Sequence, residues 1–408
     1  MMIYARLAWR NIWRNRRRTL ITILAISFAV VYAIFAQSLN RGSYEKMIDN
    51  MTRFNTGYLQ LQDDRYRDEP SLDNSFFHDA ARAARVSAAH PQIDLVLPRL
   101  ETFMLVAADE TTRGASVTGI DLAAEERFNQ LSRRLVAGRF FTAGEAAAVI
   151  GAGMSRRLNL GVGDTLALIG QGRFAMSASG LFRVTGIIEH PLRAMNDQIV
   201  YLSLATAQQL LSAEDHVTAL LLVPRQPRHT DAIAAALRST FAGERLRVLT
   251  WQELMPELLD LMRFDMAGAY LMSTILYVVI GFGFFGTVLT MTMERFREFG
   301  ILLSVGMQRT RLAGVIFLET LSISLIGVGC GLGGAWLVLL YFHRHPIELT
   351  GTMAEMVIEM GWEPVLPVSF AADIFYSQGI IVFCIAMLIF LYPLVKISRL
   401  DILAAARS

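Results

Sequence analysis

Met266–Met293 reads MAGAYLMSTILYVVIGFGFFGTVLTMTM, 28 residues without one Asp, Glu, Lys or Arg. As a helix it is about 42 Å long, more than the ~30 Å hydrocarbon core of a bilayer. Thr19–Asn40, Thr320–Phe342 and Ile374–Val395 share the property, each at 22 or 23 residues. Residues 41–265, between the first and second runs, have an ordinary soluble composition. The spacing predicts four membrane spans and one large water-facing domain inserted between the first and second. A content of 53% apolar and 18% charged residues suits that mixture.

The net charge of +2 says little, but its distribution says more. Arg6, Arg10, Arg14, Arg16, Arg17 and Arg18 precede the first run with no acid among them. Arg295, Arg297, Arg309 and Arg311 lie between the second and third runs, and Lys396, Arg399 and Arg407 follow the fourth. The 343–373 loop carries Arg344 against Glu348, Glu355, Glu359, Glu363 and Asp373. The positive-inside rule therefore expects both termini and the 293–312 loop in the cytoplasm, and the domain outside it. The first run is long for a signal-peptide core, and Ala33–Ala36 is no clean cleavage site, so it is expected to remain as a span. Ala8-Trp9-Arg10-Asn11-Ile12-Trp13 reads as a short interfacial helix with its indoles at headgroup level.

The expected segments are 1–18 (interfacial helix), 19–40 (span one), 41–265 (domain and stalk) and 266–293 (span two). Next come 294–311 (short cytoplasmic helix), 312–342 (span three), 343–373 (outer loop), 374–395 (span four) and 396–408 (tail). Cys330 and Cys384 both fall in apolar runs, so the domain has no disulfide and must rest on its own core. The domain reads as α+β, with room for two lobes. Strands are expected at Gly57–Gln62, Asp94–Ala107, Ser116–Ile120, Ala147–Gly151, Thr165–Ile169, Phe182–Glu189, Gln198–Leu202, Val217–Val223 and Leu246–Thr250. Helices are expected at Ala123–Leu135, Met154–Leu158, Ala205–Ser212 and Asp231–Phe241. The helical pattern of span two begins near Gln252, which suggests a stalk rising from the bilayer.

Few residues suggest chemistry. Gly329-Cys330-Gly331-Leu332-Gly333-Gly334 contains G-x-G-x-x-G, but inside a span, where glycines serve close helix packing. No G-x-x-x-x-G-K-[ST] occurs, so ATP is not expected to bind through a P-loop of this chain. His343-x-His345 lacks the further ligands of a metal site. Gly153-Met154-Ser155 lacks the last glycine of a nucleophile elbow. Glu319 is the one acid of the third apolar stretch; an intramembrane carboxylate has a partner or a job, and the alternative is a place near the interface facing polar helix ends. In Met293–Leu312, Phe296, Phe299, Gly300, Leu303 and Met307 recur at helical spacing, with Glu294, Arg295, Arg297 and Glu298 on the other face. Gly306 is placed to end that helix in a left-handed conformation. The segment reads either as a membrane-surface helix or as a knob for a cytosolic partner.

The run E-R-x-x-E-x-G-I-L-x-x-x-G at 294–306, followed by a span led by Glu319, resembles the FtsX-like permease domain of ABC transporters. So do Tyr392-Pro393-Leu394 with Arg399-Leu400-Asp401-Ile402-Leu403, and the start Leu7-Ala8-Trp9-Arg10-Asn11 with Arg16-Arg17-Arg18-Thr19. Val149-Ile150-Gly151, Leu158–Asp164 and Phe182–Ile187 resemble a MacB-type periplasmic core. The resemblance implies a bacterial inner-membrane permease that pairs with a second permease subunit, identical or not, and with a cytosolic ABC ATPase dimer. ATP and magnesium would be bound by that ATPase. It implies that Glu294, Arg295, Glu298, Gly300 and Gly306 belong to the coupling contact with the ATPase. This chain would then be no enzyme and would have no nucleic-acid partner.

Length and layout most resemble the lipoprotein-releasing LolC/LolE type, which extracts acylated proteins from the outer leaflet and hands them to a periplasmic carrier. Phe28, Tyr32, Phe35, Met266, Tyr270 and Tyr277 are candidates for the lipid cavity, and equally for ordinary lipid-facing or packing positions. In the LolC type a protruding loop hooks the carrier; the matching Gly170–Gly180 is short, lacks proline and reads as a plain hairpin. The alternatives are a MacB-like efflux motor, although only 18 residues precede the first span, an FtsX-like regulator without transport, and a membrane-anchored binding module.

Overall fold

Inside a bilayer a backbone amide has no water to bond, so long apolar runs must form helices. The computed structural model describes residues 9–10, 12–14, 16–108, 110–190, 192–359 and 364–398. Residues before Trp9, together with Asn11, lie outside the described residues, as does the tail from Arg399 with Arg399-Leu400-Asp401-Ile402-Leu403. Four helices are long and apolar enough to span: Thr19–Thr56, Pro256–Glu294, Arg309–Arg344 and Ala372–Lys396. Three of them run several residues past the charge-free cores, because helix geometry does not stop where charge begins. In the second, Thr274, Thr287, Thr290 and Thr292 donate back to Tyr270, Gly283, Gly286 and Val288 carbonyls. Hydroxyls satisfied within their own helix let a threonine-rich run sit in lipid.

The chain divides into two compact units, one of them Met1–Glu45 with Leu261–Glu348 and Val365–Ser408. Its core joins Ile26, Val30 and Ile34 of the first helix to Ile323, Ala335 and Leu339 of the third, and to Val382 and Ala386 of the fourth. The formal G-x-G-x-x-G lies inside the third helix with no strand before it. A Cβ on Gly331 would stand 2.6 Å from Val30 Cβ and 2.9 Å from the Ser27 carbonyl oxygen, whereas one on Gly333 would meet nothing within 4 Å. Ser27 Oγ also donates to the Gly327 carbonyl at 2.8 Å. Gly331→Val should therefore push the first and third helices apart, at about 1–3 kcal/mol, while Gly333→Val should be silent. Thermal aggregation midpoints of the two detergent-purified variants give the comparison; equal midpoints would remove Gly331 from the helix contact. Beyond the charge-free core of the first helix, Arg41 donates to Glu45 at 3.0 Å and also to Asp373 of the fourth helix, and Tyr44 donates to Asp265 of the second.

The second unit is Lys46–Asp260 with Leu349–Pro364. Its strands are β1 (Leu59–Asp63), β2 (Phe76–Phe77), β3 (Ile93–Ala108), β4 (Thr111–Ile120), β5 (Leu135–Gly138) and β6 (Ala147–Gly151). They continue with β7 (Thr165–Gln171), β8 (Ser177–Ile188), β9 (Ile199–Ser203), β10 (His216–Val217), β11 (Ala219–Pro224) and β12 (Leu246–Thr250). The order β12-β1-β11-β3 makes one antiparallel lobe. From Arg99 onward the same β3 leaves that lobe and pairs with β4, then β9, β6, β8 and β7, and β7 returns to β3. That circuit is a closed barrel, filled by Leu100, Met104, Val117, Ile150, Leu168 and Val200. The open lobe has its own core of Leu59, Leu97, Leu221, Ile233 and Leu237.

Two expectations need correction, and one helix was not anticipated. Ala123–Leu135 is not one helix: Leu122–Asn129 ends at left-handed Gln130, a 3-10 turn spans Leu131–Arg134, and Leu135 enters β5. Val217–Val223 is interrupted at Thr218, whose hydroxyl donates to the Arg99 carbonyl. Ala80–Ala89 is a helix whose alanine-rich pattern hides it, since only Val86 is buried; Asp79 caps it by accepting from the Arg82 amide. Within Gly170–Gly180, β7 and β8 run on as a hairpin, with exposed Phe174 at its tip.

Candidate functional site

The second spanning helix ends at Glu294, and Arg295 (φ −94°, ψ 3°) turns the chain into a short helix, Phe296–Ser304. Its pattern F-R-E-F-G-I-L-L-S places Phe299, Gly300 and Leu303 on one face, and all three are buried. Gly306, at φ +99°, stops it. The Gly306 amide donates to the Leu303 carbonyl at 3.1 Å, and the Met307 amide to the Leu302 carbonyl at 3.1 Å. This is a Schellman stop, which a β-carbon at 306 would strain. Gln308 is extended, and the third helix starts at Arg309 rather than at 312.

Helical spacing puts Arg295 on the polar face, yet its side chain is only 7% exposed. Because Arg295 sits at the bend and not within the short helix, that helix's periodicity does not govern its direction. It donates from Nη1 to Glu319 Oε1 at 2.6 Å, and the Glu319 side chain is 4% exposed. Its Nε lies 3.5 Å from Glu298 Oε2, and its guanidinium stands 5.6 Å above the Phe299 ring. Arg14 donates from Nη2 to the same Glu298 Oε2 at 2.7 Å. A cavity of about 270 Å³ lies here, lined by Arg14, Arg295, Glu298, Leu302, Met307 and Ile316. Glu294 closes the preceding long helix. The five expected coupling residues thus take different places: Glu298 and Gly300 in the short helix, Arg295 and Gly306 bounding it, and Glu294 before it.

Sequence patterning missed the outward face. Ile301, Leu302 and Val305 are 51%, 42% and 83% exposed, an apolar patch on a helix already buried along its other side. The i, i+4 spacing of Ile301 and Val305 was the available signal. Arg14 was also missed as a partner, since nothing local links it to a residue 284 positions later.

The six candidates for a lipid cavity separate. Phe28, Tyr32 and Tyr270 are exposed, and Phe28 and Tyr32 lie with ring centroids 6.4 Å apart. Met266 is half-buried. Phe35 instead packs on Phe342 of the third helix at 5.2 Å, and Tyr277 donates to Gln378 of the fourth. A tyrosine hydroxyl among apolar helices needs such an acceptor. The most apolar stretch of the second helix is 12% buried, against 33% and 39% for the third and fourth.

In the other unit, Arg99 Nε and Glu125 Oε1 pair at 2.6 Å with side chains 4% and 2% exposed. Asn129 donates to the second Glu125 oxygen at 2.5 Å, and Arg99 donates to the Asn55 carbonyl at 3.0 Å. Burial opposes the charge on Arg99, but Glu125 more than restores it and raises the pKa. Burial also raises Tyr201 beside them and lowers His190 to about 4. A cavity of about 560 Å³ opens nearby, lined by Tyr66, Asp73, Glu101, Phe103, Gln171 and Ala175. Among the described residues, no group of three His, Cys, Asp or Glu stands close enough to hold a metal ion.

Residues 19–240 match the sequence model of the MacB-like periplasmic core domain, and residues 270–402 that of the FtsX-like permease C-terminal domain. The pyoverdine export ATP-binding/permease protein PvdT of Pseudomonas putida is 24% identical over 196 residues, 47% of this chain and 28% of that protein. The chain therefore spans less than a third of this relative's length. The periplasmic region of MacB from Actinobacillus actinomycetemcomitans is similar at 13% identity and a TM-score of 0.36, covering 53% of this chain and 98% of that one. The extracellular domain of the ABC-type transporter YknZ from Gram-positive bacteria is similar at 14% identity and 0.34, covering 47% and 99%.

Proposed function

The chain belongs to the MacB-like, FtsX-type permease family of ABC transporters, and from that premise we propose that it is one half of a permease that lifts an acylated protein out of the outer leaflet. The apolar outward face Ile301, Leu302 and Val305 carries the coupling half of this reading. A helix packed on one side and apolar on the other suits insertion into a cleft of a partner. That partner is the cytosolic ATPase, which holds ATP and magnesium, while this chain converts the motion of its subunits into displacement of the spans. The arginine asymmetry supports an extracytoplasmic place for residues 46–260 and a cytoplasmic one for the 293–312 loop.

The nearly bare second helix and the exposed Phe28, Tyr32 and Tyr270 support the substrate half. A second permease subunit and the acyl chains of a lipoprotein would share this apolar surface. Withdrawing acyl chain from lipid loses about 0.8 kcal/mol per CH2, which suits a step driven by ATP. The pyoverdine export relative supports efflux of a small molecule as the second reading.

A photocrosslinking residue at Phe28 or Tyr270 separates the two. Capture of a triacylated lipoprotein, falling when ATP and the ATPase are supplied together, is the expected result. Capture of small molecules in its place moves the assignment to efflux. No capture at either site, with lipoprotein sorting intact in a deletion strain, ends the release reading.

A further inference from the structure

Three linked ion pairs meet at the base of the short helix and together join three segments distant in sequence. Arg14 precedes the first span, Arg295 and Glu298 flank the start of Phe296–Ser304, and Glu319 lies about 15 Å along the third helix from Arg309. The charges alternate in space as Arg14, Glu298, Arg295 and Glu319, with links of 2.7, 3.5 and 2.6 Å. The apolar side of the joint repeats the connection: Ile12, Phe299, Leu303, Leu312 and Ile316 belong to one buried cluster. A carboxylate and a guanidinium shut away from water are costly unless matched, so each holds the other in place.

Arg295 is thereby unavailable to an outside partner, and its role must be internal. We propose that Glu319 and Arg14 are positioning residues of the coupling helix: with Arg295 and Glu298 they clamp its base to the third helix and to the segment before the first. A push on Ile301, Leu302 and Val305 then displaces spans, and is not absorbed by a loose loop. The inference rests on the coupling reading above and adds which residues transmit the motion. The inner pair is sheltered from solvent, while Arg14 and Glu298 are half-exposed at 54% and 48%. Salt screens the outer pair and leaves the inner one nearly untouched, so Glu319 carries most of the effect.

The test uses the permease co-purified with its ATPase and reconstituted in lipid nanodiscs, with vanadate-sensitive ATP hydrolysis as the measurement. Glu319→Gln keeps the volume and removes the charge. It should keep ATPase recovery within about twofold and leave KM for ATP unchanged, while kcat falls at least tenfold. The exchange R295E/E319R restores the pair with reversed sign and should recover at least a third of the wild-type kcat. Arg14→Gln should lower kcat less than threefold. Wild-type kcat in Glu319→Gln overturns the clamp, and so does failure of a well-inserted exchange variant to recover. If neither variant reaches the membrane, the pair is a folding determinant and the coupling role is likewise overturned. Should Gly300→Pro retain its ATPase, the docking reading fails independently of these results; should it lose the ATPase while Glu319→Gln turns over normally, only the clamp fails.

Discussion

Gly300→Pro should reduce recovery of the partner ATPase at least tenfold, with the permease still inserted and the melting of its water-facing domain unchanged. Gly300 lies in the middle of Phe296–Ser304 on the buried face. Proline there removes one helical hydrogen bond and drives its ring into the preceding turn, a cost of about 3 kcal/mol or more. The turn that carries Ile301, Leu302 and Val305 would lose its shape. Glu298→Arg should act in the same direction with smaller effect, since it sets a third guanidinium between Arg14 and Arg295 on a half-exposed site. Co-purification from membranes measures both. Normal recovery with either substitution would remove this helix from the ATPase contact.

The largest stability loss is expected from Glu125→Ala. It leaves the Arg99 guanidinium buried with only the Asn55 carbonyl and, at 3.6 Å, Glu101. Removing one partner of a buried pair costs roughly 3–5 kcal/mol. For a domain of this size the melting midpoint then falls by about 6–20 °C. Replacing both partners, as in R99M/E125L, should recover most of the loss, because no charge remains to be solvated. Circular dichroism melts of the three proteins decide the matter. A Glu125→Ala midpoint within 1 °C of wild type would show that Arg99 finds compensation elsewhere.

Much of the architecture was legible because apolar periodicity and charge-free length are local properties. The four spanning helices, the Gly306 stop and most strands follow from residues within a few positions of one another. What was not legible depends on pairing at long range. β7 closes the barrel by lying between β3 and β8, and nothing in Thr165–Gln171 specifies the first of those partners. Arg99 looks like an exposed strand position until Glu125, 26 residues on, is brought against it. Arg295 reads as surface charge for the same reason, since its partner Glu319 belongs to the next helix. A charged side chain carries no local mark of whether it will be paired in the interior.

The place of β1 in its sheet has a consequence for how the protein is made. Leu59–Asp63 is the first strand to be synthesised, yet its neighbours are β11 and β12, which are among the last. Leu59 pairs with both Leu222 and Thr250, 163 and 191 positions later, so both of its ladders stay empty until β11 is delivered and the second until β12 follows. The barrel needs only Arg99 through Ser203 and can close earlier. The biogenesis expected is therefore sequential: a nascent barrel first, with the β1 strand Leu59–Asp63 still unpaired. Pairings at such separation form slowly and leave strand edges open to aggregation. Holding chaperones on the side where this domain emerges should bind the nascent chain up to residue 250 and release it soon after.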